Sequence, residues 1–151
     1  FFQRYSQVYV SIILIANSIG AYFAMSALNN EQVDKAFFIS PIVDMQKLIL
    51  DMMGWVDITE EKLREKQLIT TEFGETLSWE YLCYVRNHPV NWSVPTYILY
   101  GDKDNLTSQE TIHKFANDVN AELTIMQNGE HWFHTTEQME FLDDWIRGLL
   151  K

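Results

Sequence analysis

The sequence predicts an α/β fold in which a parallel sheet is flanked by helices. Runs of consecutive apolar and β-branched residues, typical of strands covered on both faces, alternate with segments of helical periodicity. Such runs occupy residues 9–16, 35–41, 96–100 and 122–126. Strands that alternate with helices pair in parallel, so we expect them to form one sheet.

The first third of the chain has the order β-α-β. A short helical segment at Phe1–Gln7 precedes the strand at Tyr9–Ala16. A helix then runs over Ile19–Leu28 and is ended by Asn29-Asn30, and the second strand starts at Lys35.

Residues 42–94 interrupt this alternation with helix-like segments and no clear strand. One of these helices begins after Thr59, which can cap it, and has Glu60 and Glu61 in its first turn. We expect a helical insertion over 42–94 within a single domain spanning residues 1–151.

Two further helices complete the pattern. Thr107 and Glu110 have the spacing of a capping box, which predicts a helix to about Val119. The last helix, about Glu137–Leu150, has one broad apolar face that should pack on the sheet. That face comprises Phe141, Leu142, Trp145, Ile146 and Leu149.

The composition excludes several classes of function. With 11 basic and 21 acidic residues the net charge is -10, which opposes binding to nucleic acid or to anionic membranes. No window reaches the roughly 18 apolar residues of a membrane span. A single cysteine favours a reducing, cytoplasmic location, and without metal-ligand spacing or a phosphate-binding glycine loop we expect no metal and no cofactor.

A candidate nucleophile lies where the first strand meets its helix, in "ANSIG". A tight strand-to-helix turn can hold a serine in a strained conformation, with small residues on both sides to relieve crowding. Ala16 and Gly20 stand two residues before and after Ser18. The backbone N–H of Ile19 would then be the first oxyanion donor. The alternative is that Asn17 and Ser18 simply cap the helix.

Two further candidates follow later strands. Asp104 lies three residues after Gly101, and His131 lies between a strand and the last helix. Alone, either residue would have an ordinary role, and Asp102 is the better candidate for a plain turn aspartate. Parallel strands bring their carboxyl ends to one edge of the sheet, so the order Ser, Asp, His predicts a catalytic triad.

These motifs resemble those of the α/β-hydrolase fold, particularly its lid-bearing serine esterases, lipases and peptidases. "ANSIG" resembles the family's G-x-S-x-G elbow, "YGDKDNLT" its acid turn, and "GEHWFHTTEQMEFLDDWI" its histidine loop and final helix. The resemblance implies Ser18 as nucleophile, Asp104 as acid and His131 as base. His134 is the weaker alternative, because it falls one helical turn too late in the match.

The resemblance covers only the second half of that fold, from its fifth strand onward. The first half normally contributes four strands and a loop that donates the second oxyanion N–H. Without those strands the outer edge of the strand at 9–16 has no partner, and a free apolar edge recruits another strand. We therefore expect either a homodimer through this edge or a complementary N-terminal half, the chain then being a fragment.

Residues 42–94 occupy the place where this family usually inserts a helical lid. An acyl or aromatic pocket could be lined by Met45, Leu48, Ile49, Met52, Met53 and Trp55. The alternative is that these side chains are simply the buried faces of helices.

Two functions are therefore weighed. The first is a serine hydrolase that cleaves a carboxylic ester or related acyl bond of a small-molecule substrate through Ser18, His131 and Asp104. The second is a non-catalytic α/β-hydrolase-like module, or an inactive fragment, that assembles through its exposed strand edge.

Overall fold

The computed structural model describes residues 8–150 and contains a four-stranded, all-parallel sheet flanked by helices. This confirms the predicted fold class. The helical segment predicted at Phe1–Gln7 lies outside the described residues. The elements follow the order β1 (Ile13–Asn17), α1 (Ile19–Leu28), β2 (Lys35–Ile39), α2 (Met45–Trp55), α3 (Glu60–Lys66), β3 (Leu68–Thr70), β4 (Thr76–Ser78), α4 (Trp79–Asn87), β5 (Thr96–Gly101), α5 (Gln109–Asp118), β6 (Glu122–Met126) and α6 (Thr136–Leu149).

The described residues form two compact units. The first contains the residues up to Val43 and those from Val90 onward, and the second is Asp44–Pro89. All four strands of the parallel sheet, in the order β1-β2-β5-β6, belong to the first unit. The chain therefore leaves this unit after β2 and re-enters it before β5.

Side-chain alternation along the strands divides the first unit's core between the two faces of the sheet. On one face Phe38, Ile98 and Tyr100 pack with residues of α1 and α5, among them Met25 and Ile112. On the other face a smaller cluster of Ile39, Leu99, Met126 and Phe133 packs against Leu142, Trp145 and Ile146 of α6. Helices cover both faces, as they do in parallel sheets generally.

β1 is shorter and more exposed than the sequence suggested. It begins at Ile13 rather than Tyr9, and the side chains of Ile13 and Ile15 are 40% and 50% exposed. The reason is its position: within residues 8–150, β1 pairs only with β2 and is the edge of the sheet. A strand covered on both faces was expected, but only Leu14 and Ala16 pack on the core, whereas Ile13 and Ile15 are exposed.

The second unit contains three helices and, unexpectedly, a small hairpin. β3 and β4 pair antiparallel with Leu68 opposite Ser78, so the expectation of no strand in this segment is wrong. The hairpin is only three residues a side, too short for a clear alternating pattern. Thr59 caps α3 as predicted, its hydroxyl accepting the Lys62 N–H.

One ion pair joins two helices of the second unit. The Arg86 guanidinium donates two hydrogen bonds to the Glu60 carboxylate, at 2.8 and 2.7 Å. These bonds lower the pKa of Glu60 below its usual value. A two-point contact of this kind restrains both the distance and the orientation between α3 and α4.

Most of the apolar side chains considered for a substrate pocket are buried. Met45, Leu48, Ile49 and Met53 are all less than a tenth exposed, whereas Trp55 is half exposed and packs edge-on against Phe73. For the four buried residues this fits the helix-face alternative. A lid role for residues 42–94 stays a prediction.

The start of α5 differs from the predicted capping box. Ser108, not Thr107, is the N-cap, and its hydroxyl accepts the Thr111 N–H. Serine and threonine are both favoured N-cap residues, with serine somewhat preferred, so residue type separates the two adjacent candidates only weakly. The true capping box in this part of the chain is at α6, between Thr135 and Gln138.

One edge of β1 has no strand partner among residues 8–150, which predicts that copies of the chain associate with one another. We expect the protein to self-associate through this edge, and Ile15→Lys to weaken association by placing a charge on the strand. Light scattering across a concentration series would measure this. Phe23→Lys is the matched control, because Phe23 is also 50% exposed but lies on α1. A wild-type chain that stays monodisperse and monomeric at every concentration would contradict the prediction.

Candidate active site

Ser18 lies in a strained turn between β1 and α1. Its backbone has φ 51° and ψ -127°, a conformation that residues with a Cβ rarely adopt. Hydrogen bonds hold the turn on both sides of the residue: the Ser18 N–H donates to Ile39 O, and Ser18 O accepts from the N–H groups of Ala21 and Ile42. The strain predicted for this turn is present.

The Ser18 side chain does not cap α1. No side-chain capping bond is formed at this helix start, and the Ser18 Oγ lies 2.7 Å from His131 Nε2. The neighbouring Asn17 amide donates instead to Ile39 O. The helix-cap alternative therefore does not account for either side chain.

The expected crowding around Gly20 is absent. A Cβ added at this position would have no heavy atom within 4 Å. In the described residues, therefore, close packing between strand and helix does not explain the glycine.

Asp104 is held by the turn that follows β5. Its Oδ1 accepts the N–H groups of Leu106 and Thr107, at 2.8 and 3.0 Å, and its Oδ2 lies 2.7 Å from His131 Nδ1. The side chain is fully buried. Asp102 has a separate role, accepting the Asn128 N–H, which agrees with its interpretation as a turn aspartate.

His131 lies in the loop after β6, packed against the acid turn. Gly101 and Gly129 lie very close together there. If position 129 were an alanine, its Cβ would lie only 2.9 Å from the Gly101 Cα. The Lys103 N–H donates to Gly129 O and joins the two turns. The His131 side chain is only 15% exposed.

His134, the weaker candidate base, is placed elsewhere. Its Nδ1 bonds to Trp132 O at 2.7 Å and faces Glu130 at 3.3 Å, and half of its side chain is exposed. Within the described residues it is not bonded to Ser18. The structure therefore brings His131, and not His134, to the serine.

The contacts assign the proton positions. A carboxylate oxygen only accepts, so His131 Nδ1 donates to Asp104 and Nε2 is left to accept the Ser18 hydroxyl proton. Oxygen, imidazole and carboxylate then form one continuous series. Such a series can remove a proton from the serine as its oxygen attacks an electrophilic carbon.

Ile19 is the first residue of α1, and its N–H points along the helix axis without an intrahelical acceptor. The amides of Ala21 and Ile42, which are also near the serine, are already bonded to Ser18 O. The Ile19 N–H therefore stays the candidate donor to an oxyanion at this turn.

Among residues 8–150, no group of three or more His, Cys, Asp or Glu side chains is arranged to hold a metal ion. In the same part of the chain, no helix has the length and apolar character that crossing a membrane requires.

Sequence reasoning missed two residues that shape the site. Thr107 was interpreted as a helix cap, but its hydroxyl donates to Pro41 O at 3.2 Å. Tyr100 is fully buried beneath the acid turn, and its hydroxyl donates to Thr107 O at 2.8 Å. The only sequence signal for either was proximity to Asp104.

Comparison with known proteins finds similarity in structure only. No protein-family model matches the sequence, and no curated protein matches it. Est1E from Butyrivibrio proteoclasticus with bound ferulic acid has a TM-score of 0.72 at 18% identity, over 99% of this chain and 65% of that one.

Two other solved structures are similar. Mouse alpha/beta hydrolase domain-containing protein 10 has a TM-score of 0.66 at 16% identity, over 95% of this chain and 63% of that one. The Pyrococcus furiosus esterase Pf2001 has a TM-score of 0.57 at 19% identity, over 97% of this chain and 54% of that one. The chain thus spans between about half and two thirds of their lengths and has part of an α/β-hydrolase fold.

The contact between Gly101 and Gly129 predicts the effect of a single methyl group. In Gly101→Ala the new Cβ overlaps the Gly129 carbonyl, so the acid turn and the histidine loop must separate. We expect a loss of about 1–3 kcal/mol in the free energy of unfolding, measured by urea denaturation.

Gly148→Ala is the control for this change. An added Cβ there meets nothing within 4 Å, so the helix should be unchanged or up to about 1 kcal/mol more stable. Equal stability of Gly101→Ala and wild type would show that the two turns do not touch in this way.

The raised pKa of the buried Tyr100 hydroxyl predicts that the protein loses stability at high pH. Burial, reinforced by the charges of Asp104 and Asp102, raises the pKa of Tyr100 to about 12. The unfolded chain releases this proton near pH 10, so above that pH the unfolded state gains about 1.4 kcal/mol per pH unit until the folded pKa is reached. Urea denaturation near neutral pH and at about pH 11 should show a smaller alkaline loss in Tyr100→Phe than in wild type. The same loss in both proteins would refute this.

Proposed function

We propose that this chain, which adopts part of the α/β-hydrolase fold, is a serine hydrolase that cleaves a carboxylic ester or a related acyl bond. The observation that supports the proposal most is the unbroken series Ser18 Oγ, His131 and Asp104, with both contacts at 2.7 Å. Its strained serine and fully buried carboxylate are features of catalytic rather than structural side chains.

In the proposed reaction, His131 Nε2 takes the Ser18 proton as the serine oxygen attacks the acyl carbon. Asp104 keeps the imidazole in the tautomer that this step requires. His131 then returns the proton to the leaving alcohol, and an acyl-serine remains. Water, activated by the same imidazole, releases the acid and restores Ser18.

The negative charge that develops on the carbonyl oxygen needs donors already in position. The Ile19 N–H at the start of α1 is the donor we propose, supported by the helix dipole. A second donor normally comes from the first half of this fold, and the resemblance covers only the second half. Loss of one donor costs about a hundredfold to a thousandfold in turnover, so the activity of this chain by itself is expected to be low.

We propose a small molecule with an apolar portion as the substrate. Ile19 and Trp132 directly follow Ser18 and His131 in sequence, and their large apolar side chains are 45% and 77% exposed. Exposed apolar surface beside reacting groups favours apolar ligands. One structural neighbour, Est1E, binds ferulic acid, an aromatic acid, which is consistent with this class. A lid function for residues 42–94 and a cytoplasmic location belong to the same proposal.

The second candidate is a non-catalytic α/β-hydrolase-like module that assembles through its strand edge. Two observations favour it: the chain spans 65% of Est1E and 63% of the mouse protein, and the edge of β1 is open among the described residues. Under this alternative the three side chains would be present without turnover.

Labelling with a fluorophosphonate probe, which reacts with activated serines, distinguishes the serine hydrolase from the non-catalytic module. We expect the wild-type chain to be labelled, Ser18→Ala to lose labelling, and His131→Gln to react at least about a hundredfold more slowly because it lacks the base.

Ser26→Ala is the matched control, since Ser26 is an exposed serine on the same helix and should leave labelling unchanged. Labelling that persists in Ser18→Ala would disprove the assignment of the nucleophile. A folded wild-type chain that is never labelled would favour the non-catalytic module.

A further inference from the structure

We propose that Thr107 is a positioning residue. It connects the acid turn to the turn that carries Ser18 (the serine turn), and so holds Asp104 at a fixed distance from Ser18. Its effect on catalysis rests on the proposed function, whereas its effect on the geometry does not. Thr107 would act through Asp104 and His131 and would not touch the substrate.

Thr107 joins three parts of the site through three different groups. Its N–H donates to Asp104 Oδ1 at 3.0 Å, its hydroxyl donates to Pro41 O at 3.2 Å, and its carbonyl accepts the Tyr100 hydroxyl at 2.8 Å. The residue is 5% exposed. It is therefore fixed from three directions and in direct contact with the carboxylate.

Pro41 belongs to the segment that also holds the serine turn. Ile39 O accepts the Ser18 N–H at 2.9 Å, and the Ile42 N–H donates to Ser18 O at 3.1 Å. Between them Ser40, with φ 42°, bonds through its N–H to Leu99 O of β5. Residues 39–42 thus support the backbone of the nucleophile from both sides.

These contacts close a ring. One arm runs from Ser18 Oγ through His131 to Asp104, and the other runs from Asp104 through Thr107 and residues 39–42 back to the Ser18 backbone. In the second arm, the side-chain hydrogen bond from Thr107 to Pro41 O joins the acid turn to the segment after β2. Removing that hydroxyl opens the ring, whereas the two amide bonds to the Asp104 carboxylate and the bond from the Tyr100 hydroxyl to Thr107 O remain.

The hydroxyl of Thr107 has no capping duty that would explain it otherwise. Ser108 caps α5 in its place, with its own Oγ accepting the Thr111 N–H. A valine at position 107 would fill nearly the same space and keep the N–H bond to Asp104, but could not donate to Pro41 O.

The test compares Thr107→Val with Thr107→Ser, which keeps the hydroxyl. Thr96→Val is the structural control: Thr96 is 4% exposed and its hydroxyl bonds to Val94 O and Trp92 Nε1, at the opposite end of β5. Both valine variants lose one buried hydroxyl, so their unfolding midpoints report the general cost.

Two readouts are used. The first is the rate of fluorophosphonate labelling, with kcat and KM for a short aryl ester where turnover is measurable. The second is the NMR signal of the His131 Nδ1 proton in protein with labelled histidine, which reports the bond to Asp104 whether or not the chain turns over.

We expect Thr107→Val to lower the labelling rate and kcat about tenfold at nearly unchanged KM, because misplacement of a catalytic group slows the reaction without weakening substrate binding. The Nδ1 proton signal should broaden or vanish. Thr107→Ser should restore both readouts, and Thr96→Val should keep both.

A Thr107→Val protein with a wild-type Nδ1 signal and labelling rate would overturn the positioning role and leave the proposed function standing. A wild-type chain without labelling would count against the proposed function. Even then, an Nδ1 proton signal that is lost in Thr107→Val but kept in Thr107→Ser and Thr96→Val would support the ring of contacts. Equal loss in Thr107→Val and Thr96→Val, without rescue by Thr107→Ser, would reduce Thr107 to a packing residue.

Discussion

Parallel pairing of four strands is the constraint on which the candidate site depends. Ser18 and His131 are 113 residues apart in the chain, and His131 and Asp104 are 27 apart, yet each follows a strand of the same sheet. Because all four strands run in one direction, the three turns that carry these residues lie together at the carboxyl ends of the strands. An antiparallel arrangement of the same strands would distribute them between opposite edges.

Backbone strain at this edge is supported by the sheet itself. Ser18 and Ser40 follow neighbouring strands, and both have positive φ, at 51° and 42°. Such conformations persist only where surrounding bonds determine them. Here the bonds are continuations of the strand pairing, from Ser18 N–H to Ile39 O and from Ser40 N–H to Leu99 O. The same ladder that builds the core therefore sets the backbone of the candidate nucleophile.

The acid turn and the histidine loop are held by local contacts of another kind. Asp104 is satisfied by two amides of its own turn, and the close approach of Gly101 and Gly129 lets the two loops touch without side chains between them. Two further hydrogen bonds hold the acid turn: the Tyr100 hydroxyl donates to Thr107 O, and the Thr107 hydroxyl donates to Pro41 O. The candidate site is thus assembled from three short turns on one rigid sheet, an arrangement that favours precise placement.

The sequence by itself determined the α/β class, the four strands and the helices between them, because each depends on local periodicity. It also singled out Ser18, Asp104 and His131, which the structure brings into contact, while their catalytic roles stay a prediction. Only the tertiary structure decided which neighbouring residue takes which partner: Ser108 and not Thr107 caps α5, and His131 and not His134 meets the serine. It also decided that, among residues 8–150, β1 is the edge strand of the sheet and residues 68–78 form a hairpin. The partners of Thr107 and His131 and the edge position of β1 depend on distances between segments remote in the chain, which a local pattern does not contain. The hairpin is local, but its three-residue strands are too short to give a clear alternating pattern.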